Sequence, residues 1–167
     1  MSKAVLISIQ PKWCELIASG KKTIEVRKTK PKLETPFKCY IYETRAKTDR
    51  PTMLDFGVLD YHGRGKVIGE FVCDTYVVDK TYGHDPLFNG AACMSEVDAA
   101  WYCVNKEMYG WHISDLVIYD EPKRISYFCL PCNKQPGCDC NYCKRHSGNK
   151  AIIRPPRSWC YVEQLRE

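Results

Sequence analysis

The feature of this sequence that most constrains its fold is a group of five cysteines within fifteen residues near the carboxyl end. Among them, Cys129/Cys132 and Cys140/Cys143 form two CxxC pairs that are separated by seven residues. A CxxC turn brings two thiolates to one metal ion, and two such turns supply the four ligands of a tetrahedral zinc site. The spacing therefore predicts a structural zinc ion that orders residues 129–149.

Other assignments of this segment stay open at this stage. Cys138 and His146 are also suitable ligands, so six side chains compete for four places, and a set containing Cys132, Cys138 and Cys143 is a rival. Four thiolates can also hold an iron–sulfur cluster. Local disulfides are expected only in an oxidising compartment. A thioredoxin-like pair requires a CxxC that opens a helix after a strand, which does not surround these pairs.

The length and composition favour one ordinary domain over residues 1–167, since 44% of the 167 residues are hydrophobic. No apolar run approaches the roughly 20 residues that cross a bilayer. The first ten residues, MSKAVLISIQ, lack the long apolar stretch and cleavage site of a signal peptide. We therefore expect a cytoplasmic protein with no membrane partner, in which the scattered cysteines are reduced core residues. Nothing in the sequence indicates an oligomeric state.

Charge is distributed unevenly along the chain. Residues 1–50 hold 12 Lys and Arg against 5 Asp and Glu, residues 51–120 hold 4 against 11, and residues 121–167 hold 9 against 4. If the fold brings the two ends together, they form a basic face of the kind that phosphate-bearing partners prefer. Ordinary solvated surface is the alternative interpretation.

The hydrophobic pattern predicts a β-rich α+β fold with two short helices. Alternating, β-branched and aromatic runs predict strands at residues 4–9, 23–27, 37–43, 66–78, 111–118, 125–128 and 158–162. Helices are expected from Pro11 to the glycine at position 20, and from a Ser95 cap to about residue 105. Loops are expected at residues 28–36, 44–65 and 82–90. Short strands with long loops favour a small curved sheet or barrel.

Residues 20–27 read GKKTIEVR, which has the spacing GxKxxExR. Side chains alternate along a strand, so Thr23, Glu25 and Arg27 are expected on the same side. Lys22 precedes them, directly after the turn. An exposed strand edge with paired charges would have the same pattern, so the spacing alone is a weak indication of function.

With this signature the chain resembles the ASCH domain family, relatives of the PUA-like RNA-binding fold, in a bacterial or phage type with a cysteine-rich insertion. The resemblance covers the opening LISIQPKWCELIASG, the GxKxxExR signature, GKVIGEFVCD and the closing RPPRSWCYVE. It implies a small β-barrel with flanking short helices and a cleft bordered by the signature segment. It also implies that this cleft binds RNA or a nucleotide-like ligand.

The side chains of the expected cleft have suitable chemistry for that ligand. Lys22 and Arg27 can contact phosphate, and Glu25 can accept hydrogen bonds from a base or a hydroxyl. Aromatic faces, for which Tyr40 is a further candidate, stack bases at roughly 1–3 kcal/mol each, although core packing is the usual role of any single aromatic. The expected ligand-binding residues are Trp13, Lys22, Thr23, Glu25, Arg27, Tyr42 and Trp159.

Two other functions compete with RNA binding. Some small ASCH-like proteins are amidohydrolases that remove the acetyl group from acetylated cytidine with a lysine, a threonine and a glutamate. Lys22 stands at the lysine position, but Glu25 stands where the threonine is expected, and the third residue could be Glu70 or Glu96. Lys22 and Glu25 would then be catalytic. Alternatively, the chain is a protein-interaction adaptor that binds its partner through the zinc loop.

Overall fold

A computed structural model of the chain describes residues 3–45, 63–104, 106–131 and 150–165, and the statements below concern these residues. The strands are β1 (Lys3–Ile9), β2 (Ile24–Arg27), β3 (Phe37–Glu43), β4 (Lys66–Cys73), β5 (Tyr76–Asp79), β6 (Met108–His112), β7 (Ser114–Lys123), β8 (Cys129–Leu130), β9 (Lys150–Ala151) and β10 (Trp159–Glu163). The helices are α1 (Pro11–Ala18), α2 (Pro86–Ala92) and α3 (Glu96–Cys103), and a 3-10 turn covers Ile125–Tyr127. None of the described helices is long and apolar enough to cross a membrane.

The strands form three sheets that do not close into a barrel. The larger sheet has the order β10-β1-β3-β4-β7, with β1 and β3 parallel and the other pairs antiparallel. Strands β2, β6 and β5 form a second sheet, and β8 pairs with β9. The predicted α+β class is confirmed, but the predicted barrel is wrong for the described residues. The second sheet pairs only within itself there, so the edges of the larger sheet are not joined.

The larger sheet is covered on both faces, which explains why β1 is an almost continuous apolar run. Val5, Ile7 and Ile9 pack with helix α1 and Trp111 in one core. The alternate residues of β1 pack in a second core with Phe128. A third core joins β2 to helices α2 and α3. The signature segment therefore lies where the second sheet, helix α1 and helix α2 meet.

The two basic ends of the chain lie side by side. Strand β10 pairs with β1 in antiparallel register, from Lys3↔Glu163 to Ile7↔Trp159. The two ends of the chain are thereby neighbours in the larger sheet, and the charged residues within the paired strands are one cation, Lys3, opposite one anion, Glu163.

Three predicted elements differ from the structure. Residues 82–90 were expected to be a loop, but Asp85 caps helix α2 by accepting hydrogen bonds from the Leu87 and Phe88 amides, with Pro86 at the first helical position. Residues 66–78 are not one strand, because the chain leaves the larger sheet between β4 and β5 and pairs with β6 instead. Most of the expected loop at 44–65 lies outside the described residues.

The region after helix α3 also departs from the prediction. The expected strand at 111–118 is divided between β6 and β7, and β7 continues to Lys123. Pro122, which was expected to separate two strands, lies within β7. Proline is tolerated there because β7 is an edge strand of its sheet. The apolar run at 125–128 forms a 3-10 turn rather than a strand.

Candidate functional site

The signature segment begins at the turn that ends helix α1. Gly20 has φ +73, in the left-handed region that glycine adopts most readily. The Lys22 amide then donates a hydrogen bond of 2.9 Å to the Leu16 carbonyl, which turns the chain back along the helix. The Thr23 amide donates to the Ala91 carbonyl at 3.0 Å. These bonds fix the start of β2 against both α1 and α2.

Lys22, Glu25 and Arg27, here called the signature triad, form a chain of ionic contacts. The Glu25 carboxylate lies 3.5 Å from Lys22 Nζ through Oε2 and 3.0 Å from Arg27 Nη2 through Oε1. Lys22 Nζ also donates to the Ala92 carbonyl at 2.7 Å, and Arg27 Nη2 donates to the Ser8 carbonyl at 2.6 Å. The triad therefore connects the second sheet to strand β1 and to the end of α2.

Lys22 and Glu25 are buried, with 3% and 5% of their surface exposed, and the Arg27 side chain is 13% exposed. Burial lowers the pKa of Lys22, although the neighbouring Glu25 carboxylate acts in the opposite direction. Within the described residues, Glu25 Oε2 and Arg27 Nε are buried and have no hydrogen-bond partner. Buried polar atoms are usually hydrogen-bonded. One acceptor and one donor of the triad are thus unsatisfied and enclosed, so a ligand would reach them only after the surrounding side chains move.

Trp13 is the aromatic residue that the structure brings to the triad. Lys22 Nζ lies 5.0 Å from the centroid of the Trp13 ring, and Lys12 Nζ lies 4.7 Å from the same centroid. Both distances are typical of cation–π contacts. Trp13 is partly buried on helix α1, so its ring is positioned by the helix and by the lysines together.

The other predicted ligand residues are dispersed. Thr23 is exposed in the turn before β2. Tyr42 lies in the core on the opposite face of the larger sheet from Trp13, together with Tyr40, and both are buried. The structure therefore places neither tyrosine with the triad. Tyr40 instead accepts a hydrogen bond from the Leu165 amide at 2.9 Å.

Trp159 lies beside the loop that follows the triad. Its Nε1 donates to the Thr29 hydroxyl at 3.2 Å, and its ring centroid lies 6.0 Å from that of Trp111 and 5.5 Å from that of Tyr161. Trp159 therefore belongs to an aromatic cluster between the edge of the larger sheet and the residues after β2.

Two tyrosines near the triad were missed at the level of sequence. The Tyr102 hydroxyl donates to the Val26 carbonyl at 3.5 Å, and burial raises the pKa of Tyr102. Tyr109 pairs with Arg27 in the register of β2 and β6. No local pattern marks these residues, because their position depends on the docking of helix α3 and on strand register.

The two glutamates considered as a third catalytic residue do not contact Lys22. Glu70 binds Lys38 Nζ at 2.7 Å and accepts a short hydrogen bond from the Tyr119 hydroxyl. This group lies next to Tyr40, on the face of the larger sheet away from the triad. Glu96 lies at the start of helix α3, exposed, with His84 Nδ1 at 2.7 Å from its carboxylate.

The predicted zinc ligands lie almost entirely outside the described residues, since Cys129 alone of the six candidates is included. Burial, with a smaller effect of Glu163, raises the pKa of the Cys129 thiol. The short pair of β8 and β9, with Cys129 opposite Ala151, holds together the two ends of the cysteine-rich segment. Among the described residues no group of three or more His, Cys, Asp or Glu could hold a metal ion.

Comparison with known proteins identifies the family. Residues 7–113 match the model of the ASCH domain. The fold is similar to that of ASCH from Zymomonas mobilis, with a TM-score of 0.59, 18% identity and coverage of 96% of this chain and 88% of that chain. A tyrosine-to-phenylalanine variant of the Zymomonas mobilis protein has a TM-score of 0.62, 18% identity and coverage of 98% and 92%. At 18% identity, the similarity to these structures shows the fold alone. No curated protein matches the chain.

Proposed function

This chain belongs to the ASCH domain family, and from that premise we propose that it binds RNA or a nucleotide-like ligand around Lys22, Glu25 and Arg27. Membership of a family that is generally linked to RNA binding supports the ligand class. The observation that carries the location is the unsatisfied hydrogen-bonding capacity of Glu25 Oε2 and Arg27 Nε within the signature itself.

The burial of the triad indicates which part of the ligand it would contact. Lys22 and Arg27 already donate hydrogen bonds to main-chain carbonyls and share the Glu25 carboxylate. Such paired and desolvated cations are poor primary contacts for a mobile phosphate chain. We assign the triad to a hydrogen-bonding edge of the ligand, with Glu25 as acceptor and Arg27 as donor, and Trp13 as the adjacent aromatic face. A base offers such an edge and such a face.

The test is binding of single-stranded RNA to the wild-type protein and to variants matched for chemistry. Arg27→Lys keeps the positive charge at position 27 but removes Nε. Lys22→Met removes the ammonium charge of Lys22. Lys38→Met is the control, because Lys38 pairs with Glu70 on the other face of the sheet. With folding verified by circular dichroism, we expect weaker binding from the first two variants and wild-type binding from Lys38→Met. Equal affinities in all four proteins would refute this location.

Hydrolysis of an acylated cytidine is a second candidate function. It is favoured by the lowered pKa of Lys22 and by the position of Glu25 beside it, since a lysine needs a depressed pKa to act as a base near neutral pH. Incubation of concentrated protein with N4-acetylcytidine would yield cytidine if this activity is present. Absence of product from the wild-type protein would exclude it for this substrate.

We also propose a structural zinc ion held by Cys129, Cys132, Cys140 and Cys143. Thiolates in two CxxC pairs suit zinc, and the pairing of β8 with β9 encloses the segment that contains them. Metal analysis of the purified protein should give one zinc per chain, and Cys140→Ser with Cys143→Ser should reduce it. Cys160→Ser is the control. Cys160 lies on β10, so this variant should leave the zinc content unchanged.

A further inference from the structure

The loop that follows the triad carries lysines that lie over tyrosine rings. Lys28 Nζ is 4.9 Å from the centroid of the Tyr102 ring. Lys30 Nζ is 5.3 Å from the centroid of Tyr76 and 5.7 Å from that of Tyr109. We call the loop lysines at positions 28, 30 and 32 and the three tyrosines at positions 76, 102 and 109 the basic–aromatic strip. It begins directly beside Arg27.

The backbone of this loop is anchored, while its lysines are exposed. The Lys32 amide donates a hydrogen bond to the Tyr161 hydroxyl at 2.7 Å, and Thr29 accepts one from Trp159. Both partners belong to β10, the edge strand of the larger sheet. Lys28 and Lys30 are exposed, so a phosphate can reach their ammonium groups. An anchored backbone with exposed cationic side chains suits a flexible polyanion such as single-stranded RNA.

Two further cations lie close to the strip. Lys3 Nζ lies 6.0 Å from the centroid of Tyr161, and Arg27 precedes the loop. In the pairing of β1 with β10, Lys3 lies opposite Glu163, so β10 itself adds no positive charge here. Glu34 is the acidic residue of the loop itself. Surface charge of this kind attracts a nucleic-acid backbone.

We propose that the basic–aromatic strip is the track on which single-stranded RNA lies as it leaves the triad, an inference that rests on the proposed function. The ammonium groups of Lys28 and Lys30 turn from the ring faces to phosphates, the exposed Lys32 binds a third phosphate, and bases take the places of the ammonium groups on Tyr102 and Tyr109. This exchange is favourable because a base stacked on an aromatic ring is held more strongly than an exposed ammonium group. The phosphates gained by the lysines release counterions.

The proposal requires unpaired bases. Bases in a duplex are stacked on each other, and their faces are not accessible to the tyrosines. The strip should therefore prefer single-stranded RNA to a duplex of the same sequence, and the preference should not depend strongly on which base is present, because every base has a face that can stack.

The test compares three proteins over a series of salt concentrations, using fluorescence anisotropy of a labelled single-stranded RNA. The strip variant carries Lys28→Ala, Lys30→Ala and Lys32→Ala. The control carries Lys66→Ala, Lys80→Ala and Lys106→Ala, which remove the same charge from exposed lysines elsewhere. For single strands each phosphate contact contributes about 0.7 to the slope of log K against log salt. We expect the slope of log K against log salt to be less steep by about 2 in the strip variant than in the control.

A second variant tests stacking separately from charge. Tyr109→Leu should weaken binding by about 5- to 150-fold with no change in the salt slope. Tyr127→Leu is the control, because Tyr127 is an exposed tyrosine in the 3-10 turn that packs with the other face of the larger sheet. The proposal that RNA lies along the strip would be refuted if the strip variant had the same salt slope as the control. It would also be refuted if duplex RNA bound as tightly as single-stranded RNA. Wild-type protein that binds no RNA at low salt would instead overturn the proposed function on which the track depends.

Discussion

Lys22–Glu25 and Lys38–Glu70 are two lysine–glutamate pairs of the same composition in different surroundings. In the first pair the side chains are 3% and 7% exposed, one carboxylate oxygen lacks a hydrogen bond among the described residues, and a second cation, Arg27, shares the carboxylate. In the second pair both side chains are 19% exposed, and Glu70 is bonded to Lys38 and Tyr119.

The difference shows how burial decides what an ion pair can do. Burial dominates at Lys22 and lowers its pKa despite the nearby carboxylate. At Glu70 burial would raise the pKa, but the hydrogen bonds from Lys38 and Tyr119 outweigh it and the pKa is lowered. The second pair is thus a satisfied pair near the surface. The first is desolvated and incompletely bonded, a condition found at functional sites and also in structural ion-pair networks.

The largest expected effect is on the free energy of unfolding when the carboxylate charge of Glu25 or of Glu70 is removed. Glu25→Gln leaves two buried cations without their counter-ion, so we expect the free energy of unfolding to fall by about 3–5 kcal/mol. Glu70→Gln keeps the hydrogen-bonding atoms near solvent and should cost about 1 kcal/mol or less. Urea denaturation at pH 7 measures both. Equal decreases in the free energy of unfolding for the two variants would show that the burial of Glu25 does not make its charge more important for stability.

The fold was predictable from sequence where local patterns decide it. The alternating run of β3 and the Ser95 cap of helix α3 gave correct elements, because strand alternation and capping depend on adjacent residues. Helix α2 was not predicted because Asp85 and Pro86 lie in a segment rich in turn-forming residues. The same two residues are also a helix-start signal.

The site was predictable only in its local part. Lys22 and Glu25 meet because they are three residues apart across one turn. Tyr109 is brought in by its pairing with Arg27, a contact of long sequence separation that no local pattern encodes. Tyr42 was expected at the cleft, but the register of β3 places its side chain in the opposite core. A shift of one residue in register would have exchanged the two faces.

The next effect is the pH dependence of the buried pair. The pKa of Lys22 in the folded state lies below its ordinary value of 10.5, so in the interval between the two the unfolded chain binds more protons. Stability contributed by this group therefore rises as the pH increases towards 10.5. We expect the difference in unfolding free energy, wild type minus Lys22→Met, to increase between pH 7 and pH 10.5. A difference that is constant or decreases would contradict the assigned direction.

The smallest effect is the acid response of the partly buried Lys38–Glu70 pair. The pKa of Glu70 is below its ordinary value of 4.5, so its contribution to stability is present above pH 4.5 and is lost as the pH falls through the folded-state pKa. The advantage of the wild type over Glu70→Gln should therefore disappear on acidification below pH 4.5. Chemical denaturation at pH 7 and at successively lower pH measures it, and an advantage that persists in acid would refute the pairing.

The central claim is that ligand lies on the face of the molecule that carries the triad and the basic–aromatic strip. Photo-crosslinking of RNA that contains 4-thiouridine, followed by mass spectrometry of the crosslinked peptides, tests it directly. We expect crosslinks at Trp13, Tyr102 and Tyr109. Crosslinks confined to Tyr119, which binds Glu70, and to Tyr127, which lies in the 3-10 turn at Ile125–Tyr127, would contradict it.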